Sequence, residues 1–238
     1  MARTPRQGPF LALLASVLLT GTGCVISYLP PPALMPMADE AGDVHLAASA
    51  GFSGFHVAGS YALTDHLSAH VGAQGWQGDP DRYQHLMAGV RYFGGKAPLG
   101  EAPDAPLSPL RWSVGLTGGG GYSVDESSGS VGQSGYDIRY AGPFLRTALE
   151  ADAAFESDYF GFGVQARMVY FRFWHDASSE HPGQVGWMWL AEPALVIRPG
   201  IPEFKFDLQA GLSLPIAYQP PLGLPLPLTF SVGFVVDL

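Results

Sequence analysis

Apolar residues recur at every second position along most of this chain. Val44, Leu46, Ala48, Ala50 and Phe52 share one face, and Phe55, Val57, Gly59, Tyr61 and Leu63 follow after Ser53 and Gly54. A tight turn at Thr64 and Asp65 leads into Leu67, Ala69, Val71 and Ala73, and then into Leu86, Ala88, Val90 and Tyr92. A Pro-rich connection precedes Trp112, Val114 and Leu116, which run into Gly118–Gly121. The second half repeats the pattern: Leu145 to Ala153, Phe160 to Tyr170, Trp187 to Ile197, Phe204 to Leu214 and Phe230 to Leu238. Period two marks strands with two unlike faces. Ten such runs without an intervening amphipathic helix predict an antiparallel meander. Val124–Gly135 and Trp174–Val185 are expected as loops, and Pro193 as a local bulge, because proline removes a ladder donor.

Alternation alone does not say which way the apolar face points. A lipocalin-like barrel carries it inside, whereas a membrane barrel turns it toward lipid. The opposite face here is small as well as polar: Lys205, Asp207, Gln209, Gly211 and Ser213 in one run, Arg111, Ser113, Gly115, Thr117 and Gly119 in another. That suits a crowded lumen better than a soluble exterior. Charged residues make up only 14% of the chain, against roughly 25% in ordinary soluble domains. Aromatics gather near strand ends, at Tyr92, Trp112, Tyr159, Phe160 and Phe204 on one side and at Tyr122, Trp174 and Trp187 on the other. Two such girdles are expected where a barrel meets the membrane surfaces.

The N-terminus changes the picture of where the barrel resides. Arg3 and Arg6 precede an apolar run, Phe10 to Leu19, too short to span a bilayer as a helix. Gly21, Thr22 and Gly23 follow, then Cys24, the only cysteine. A lone cysteine in an exported chain makes no internal disulfide. Its position accounts for it: the stretch resembles a bacterial lipobox, with Gly21 standing where such boxes usually carry Leu. Plain signal-peptidase cleavage after Gly23 is the competing reading. Val25, rather than Asp, follows the cysteine, which by the same resemblance points to the outer membrane. Residues 1–23 are thus expected as a signal peptide, 24–42 as a Pro-rich periplasmic tether and 43–238 as the barrel. Net charge is −9, which offers phosphate backbones no attraction, so no nucleic-acid partner is expected.

The last strand carries a second likeness. Ser231, Gly233, Val236 and Leu238 follow the spacing of the C-terminal assembly signal of bacterial outer-membrane barrels, with Leu238 where an aromatic is usual. Over residues 43–238 the chain resembles the small outer-membrane β-barrel superfamily of Gram-negative bacteria, with a lipoprotein-type N-terminus added. The resemblance implies an all-β, antiparallel, up-and-down transmembrane barrel of about ten strands. It also implies acylation of Cys24 (palmitate among the chains), and as partners outer-membrane lipid and the barrel-assembly and lipoprotein-sorting machinery. It fixes no activity.

Candidate chemistry is sparse. Inward-phase charges concentrate late in the chain, at Arg146, Glu150, Asp152, Arg167, Glu192, Lys205 and Asp207. Hairpin pairing across Trp174–Val185 sets Arg167 opposite Glu192, and a buried guanidinium needs a partner. His45, His56, His70 and His85 fall one per strand in the polar phase, spaced too widely for one metal ion. No cofactor, metal or catalytic motif is read. His175, Asp176, Asp79 and Asp81 lie in outer loops without the order of known barrel proteases. Three functions follow: a non-enzymatic barrel lipoprotein, structural or narrow-pored; a ligand binder or enzyme built on the outer loops; and a soluble lipocalin-like carrier held by its lipid.

Overall fold

The computed structural model describes residues 31, 40–77, 81–95, 110–131, 134–157, 159–177, 179, 181–201, 203–219 and 228–238. Cys24 and the expected signal peptide, residues 1–23, lie outside them. Every regular element among the described residues is a strand: β1 Val44–Gly51, β2 Gly54–Thr64, β3 Leu67–Gln77, β4 Arg82–Gly94, β5 Arg111–Val131, β6 Ser134–Glu156, β7 Phe160–Trp174, β8 Val185–Ile201, β9 Phe204–Leu212, β10 Leu214–Gln219 and β11 Leu228–Asp237. Sequence neighbours pair antiparallel from β1 to β8. β9 and β10 both pair with β8, so together they fill one place in the wall. β11 pairs with β9 on one edge and β1 on the other, which closes an up-and-down barrel of ten strands. Among the described residues every strand but β10 is paired on both edges, and β10 pairs with β8 alone.

The wall departs from the sequence expectation at two places. Val124–Val131 and Ser134–Gly135 belong to strands and not to a loop: β5 and β6 stay in register from Arg111↔Ala154 to Val131↔Ser134, making a hairpin of 21- and 23-residue strands. Apolar alternation stops near Val124, but each further rung still satisfies backbone N–H and C=O groups. Pro193 makes no bulge against β7, where Ala166↔Pro193 lies within an unbroken register. The irregularity sits on the opposite edge. β9 ends at Leu212, β10 begins at Leu214, and the register shifts between Pro215 and Ala217. Pro193 and Pro215 both lack the N–H that a continuous ladder would need. Pro31, in the stretch read from sequence as a Pro-rich periplasmic tether, is the one residue of 24–39 that is described. It is buried, with its carbonyl accepting a hydrogen bond of 2.7 Å from Arg167 Nη2.

The two faces separate cleanly. Along β7, Phe160, Phe162, Val164, Ala166 and Met168 are exposed, while Gly161, Gly163, Gln165, Arg167 and Val169 are buried. β9 repeats this, with Lys205, Asp207, Gln209 and Gly211 inside and Phe206, Leu208 and Leu212 outside. Leu86 is 69% exposed and Leu149 63%, although both are mid-strand leucines. The apolar face therefore points outward and the polar face into the lumen, the reverse of a lipocalin-like carrier. Aromatic rings crowd both ends of the outer surface. At the rim holding the start of β1 and the end of β11 (the terminal rim), Tyr92 meets Trp112 at 5.9 Å and Phe204 meets Phe234 at 5.8 Å. At the far rim, Phe52 meets Phe230 at 6.3 Å and Tyr170 meets Trp189 at 5.1 Å.

Candidate functional site in the barrel lumen

The register aligns one row of inward positions across five strands: Arg91 on β4, Gly115 on β5, Glu150 on β6, Arg167 on β7 and Glu192 on β8. Period two turns each of them inward, and β6 adds Asp152 on one side of Glu150 and, beyond Ala148, Arg146 on the other. Arg91 donates to both Glu150 and Asp152, and Ser113 Oγ donates to Asp152 at 2.7 Å. Arg167 Nε stands 3.1 Å from Glu192 Oε2, with Arg146 Nη2 at 3.6 Å from the same oxygen. Ser213 Oγ donates to Glu192 Oε1 at 2.8 Å. Three guanidiniums thus face three carboxylates at mid-height. All six side chains are nearly or wholly buried. Isolated charges here would cost several kcal/mol each, so mutual neutralisation makes the arrangement tolerable.

Glycine makes this row possible. A Cβ added at Gly115 would lie 2.6 Å from Arg91 Cγ and 2.9 Å from the Val90 carbonyl oxygen. Arg91 therefore lies flat across Gly115 to reach Glu150, two strands away. His70 uses the same device. It crosses Gly89, whose Cβ would meet His70 Cε1 at 2.5 Å, and is hydrogen-bonded to Thr117 on β5 at 3.0 Å. A narrow barrel accepts long polar side chains when the neighbouring strand offers no side chain beneath them.

Above and below the charged row the lumen differs. Toward the terminal rim, Arg198 Nε donates to Asp207 Oδ2 at 2.9 Å and His45 Nδ1 lies 2.6 Å from Asp237 Oδ1. A cavity of about 40 Å³ remains there, bordered by His45, Ser60, His70, Arg91 and Arg198. Toward the far rim the interior turns apolar. Tyr83, Phe144, Val169, Phe171, Phe173, Met188 and Leu190 form a buried cluster. Tyr83 stacks on Phe144 at 5.0 Å, Phe144 meets Phe171 at a tilt at 5.1 Å, and Phe173 meets the ring of His175 edge-on at 4.9 Å. The Trp174–Val185 connection folds onto this cluster. His175 Nδ1 lies 2.7 Å from Ser179 Oγ, and Asp176 N donates to the Ala141 carbonyl at 2.9 Å.

No protein-family model matches the chain, and no curated protein matches it either. The lumen's chemistry therefore rests on its own geometry. Among the described residues no group of three or more His, Cys, Asp or Glu could hold a metal ion. His56, His70 and His85 are buried inside the wall, with the rings of His85 and Phe144 5.4 Å apart. The carboxylates of the central row are engaged by guanidiniums and hydroxyls of the same row. The arrangement fills space and balances charge.

The residues singled out from sequence fall as follows. Arg167 and Glu192 are Cα partners and contact one another. Arg146, Glu150, Lys205 and Asp207 are all buried. Ser231 is buried, Leu238 is exposed, and Gly233 and Val236 sit at the β1–β11 seam opposite Ser49 and Leu46. Sequence reasoning missed Arg91 and Arg198, although both occupy the polar phase of their strands, beside Val90 and Ile197. It also missed the apolar interior near the far rim. The signal for that was present in Met168 to Phe171 and Trp187 to Leu190, where both phases are apolar.

Proposed function

We propose that this protein is a non-enzymatic outer-membrane β-barrel lipoprotein, a structural element of the membrane whose lumen is sealed to solutes. The observation that carries the proposal is the inside-out distribution: an exposed apolar wall around a buried charged row. From Phe160 to Tyr170 the outward positions of β7 are apolar. That length, tilted by about 40°, projects to about 25 Å, the height of the apolar band on membrane barrels. Ten strands at ~4.8 Å spacing, tilted alike, give a girth of about 60 Å. The belt then covers about 1,500 Å², whereas soluble monomers rarely expose contiguous apolar patches beyond a few hundred Å². The ring contacts at both rims fit interfacial girdles.

Sealing is supported by what fills the lumen. The charged row occupies mid-height and the aromatic cluster the far half, and open aqueous channels belong to barrels of about 16 strands. In this reading both termini of the barrel face the periplasm and Cys24 carries the lipid. Sorting machinery for lipoproteins and the barrel-assembly machinery then act on the same chain. Two measurements test the proposal. The protein should stay with membranes through alkaline carbonate extraction, and release by carbonate would contradict the membrane assignment. Reconstituted in planar bilayers it should give no conductance steps, and regular steps would contradict the sealed lumen.

A further inference from the structure

The hydrogen bond from Arg167 to Pro31 has a meaning beyond packing. Arg167 is the eighth of the fifteen residues of β7, halfway between the rims. Pro31 therefore stands at the centre of the lumen. Glu40 is held at the terminal rim, where Glu40 N donates to Asp43 Oδ2 at 2.9 Å and Gly42 N to the Ala62 carbonyl at 2.8 Å. The nine Cα–Cα steps from Pro31 to Glu40 reach about 30 Å when extended, well over the half-height of the barrel at ~13 Å.

Pro31 is the middle of three consecutive prolines, Pro30 to Pro32. Proline offers a carbonyl acceptor and no N–H donor. A buried N–H without a partner is costly, so a chain entering a closed lumen does best when it brings only acceptors. The lumen wall supplies the complementary donors, the guanidiniums of Arg146 and Arg167, in its central row. We propose that Pro31 is an internal ligand of the barrel, lodged at the centre of the lumen with its carbonyl received by Arg167. The lumen is then a binding site whose occupant is a proline of the chain's own sequence ahead of β1. The inference rests on the closed barrel alone and holds or fails independently of membrane location.

Thiol protection in the full chain tests it. Pro31→Cys is introduced with Cys24→Ser and the protein folded in detergent micelles. Its reaction with a maleimide carrying a bulky polyethylene glycol is compared with that of Ala41→Cys at the exposed terminal rim. Cys at position 31 should react at least about 100-fold more slowly than Cys at 41, and at the same rate once the barrel is unfolded in urea. Equal rates in the folded protein would overturn the proposal. The pair Arg167→Met with Glu192→Gln removes the donor while keeping the central charges balanced, so the barrel should still form. In that background labelling at 31 should rise at least about tenfold. Unchanged protection there would overturn the assignment to Arg167.

Discussion

Removing Glu192 should unbalance the lumen far more than removing it together with Arg167. Arg167 Nε and Glu192 Oε2 are 3.1 Å apart, an attraction of about 5 kcal/mol at an effective dielectric of about 20. Most of that offsets the desolvation of two buried charges, so the pair adds little net stability. Breaking it is another matter. Glu192→Ala leaves Arg91, Arg146 and Arg167 with only Glu150 and Asp152 as central counter-charges. Arg167→Ala leaves the opposite excess. Each single change should cost about 3–5 kcal/mol. The double change restores two charges against two and leaves chiefly the cost of lost volume. The bond from Arg167 to Pro31 vanishes in both variants that lack Arg167, so it cancels from the cycle. The two single costs should therefore exceed the double by about 2 kcal/mol or more, read by urea unfolding in micelles with tryptophan fluorescence. Coupling below about 0.5 kcal/mol, the range of independent sites, would refute the buried pair.

Other outcomes are as specific. Gly115→Ala should destabilise the barrel by about 1–3 kcal/mol, because its Cβ would press on Arg91 Cγ and the Val90 carbonyl, while Gly118→Ala, with nothing within 4 Å, should be neutral in the same unfolding assay. Phe171→Ala should cost about 3–5 kcal/mol, since the ring is fully buried between Phe144 and Phe173, and a neutral result would mean that the far half of the lumen is not packed. An epitope inserted at Gly183, in the far-rim connection, should bind antibody on intact cells, and binding only after lysis would reverse the orientation. The intact mass of the mature protein should include acyl chains on Cys24, and an unmodified mass would remove the lipid anchor.

How much was legible in the sequence depended on how far a feature followed from period two. Leu86, Leu149 and Leu208 declared the outward face, and Arg167 and Glu192 met because hairpin register is fixed by strand phase. Arg91 was missed because its partners lie two strands away, across Gly115, and pairwise hairpin logic reaches only the next strand. The far-rim cluster escaped because period two assumes one apolar face, and near Phe171 and Met188 both faces are apolar. Val124–Gly135 read as a loop because polar residues hide a ladder held by backbone hydrogen bonds and the cross-strand pair Glu126–Arg139. Pro31 was invisible for a related reason: a carbonyl acceptor carries no side-chain signature.

The central claim is that the exposed apolar wall meets lipid, and spin labels on that wall test it most directly. Nitroxides attached at Leu86→Cys and Leu149→Cys, both mid-strand and outward, are compared in bilayers with one at Ala41→Cys on the terminal rim. The expected result is frequent collision with dissolved oxygen and little with a water-soluble nickel chelate at Leu86 and Leu149, with the reverse at Ala41. Ready access of the chelate to all three would contradict the claim.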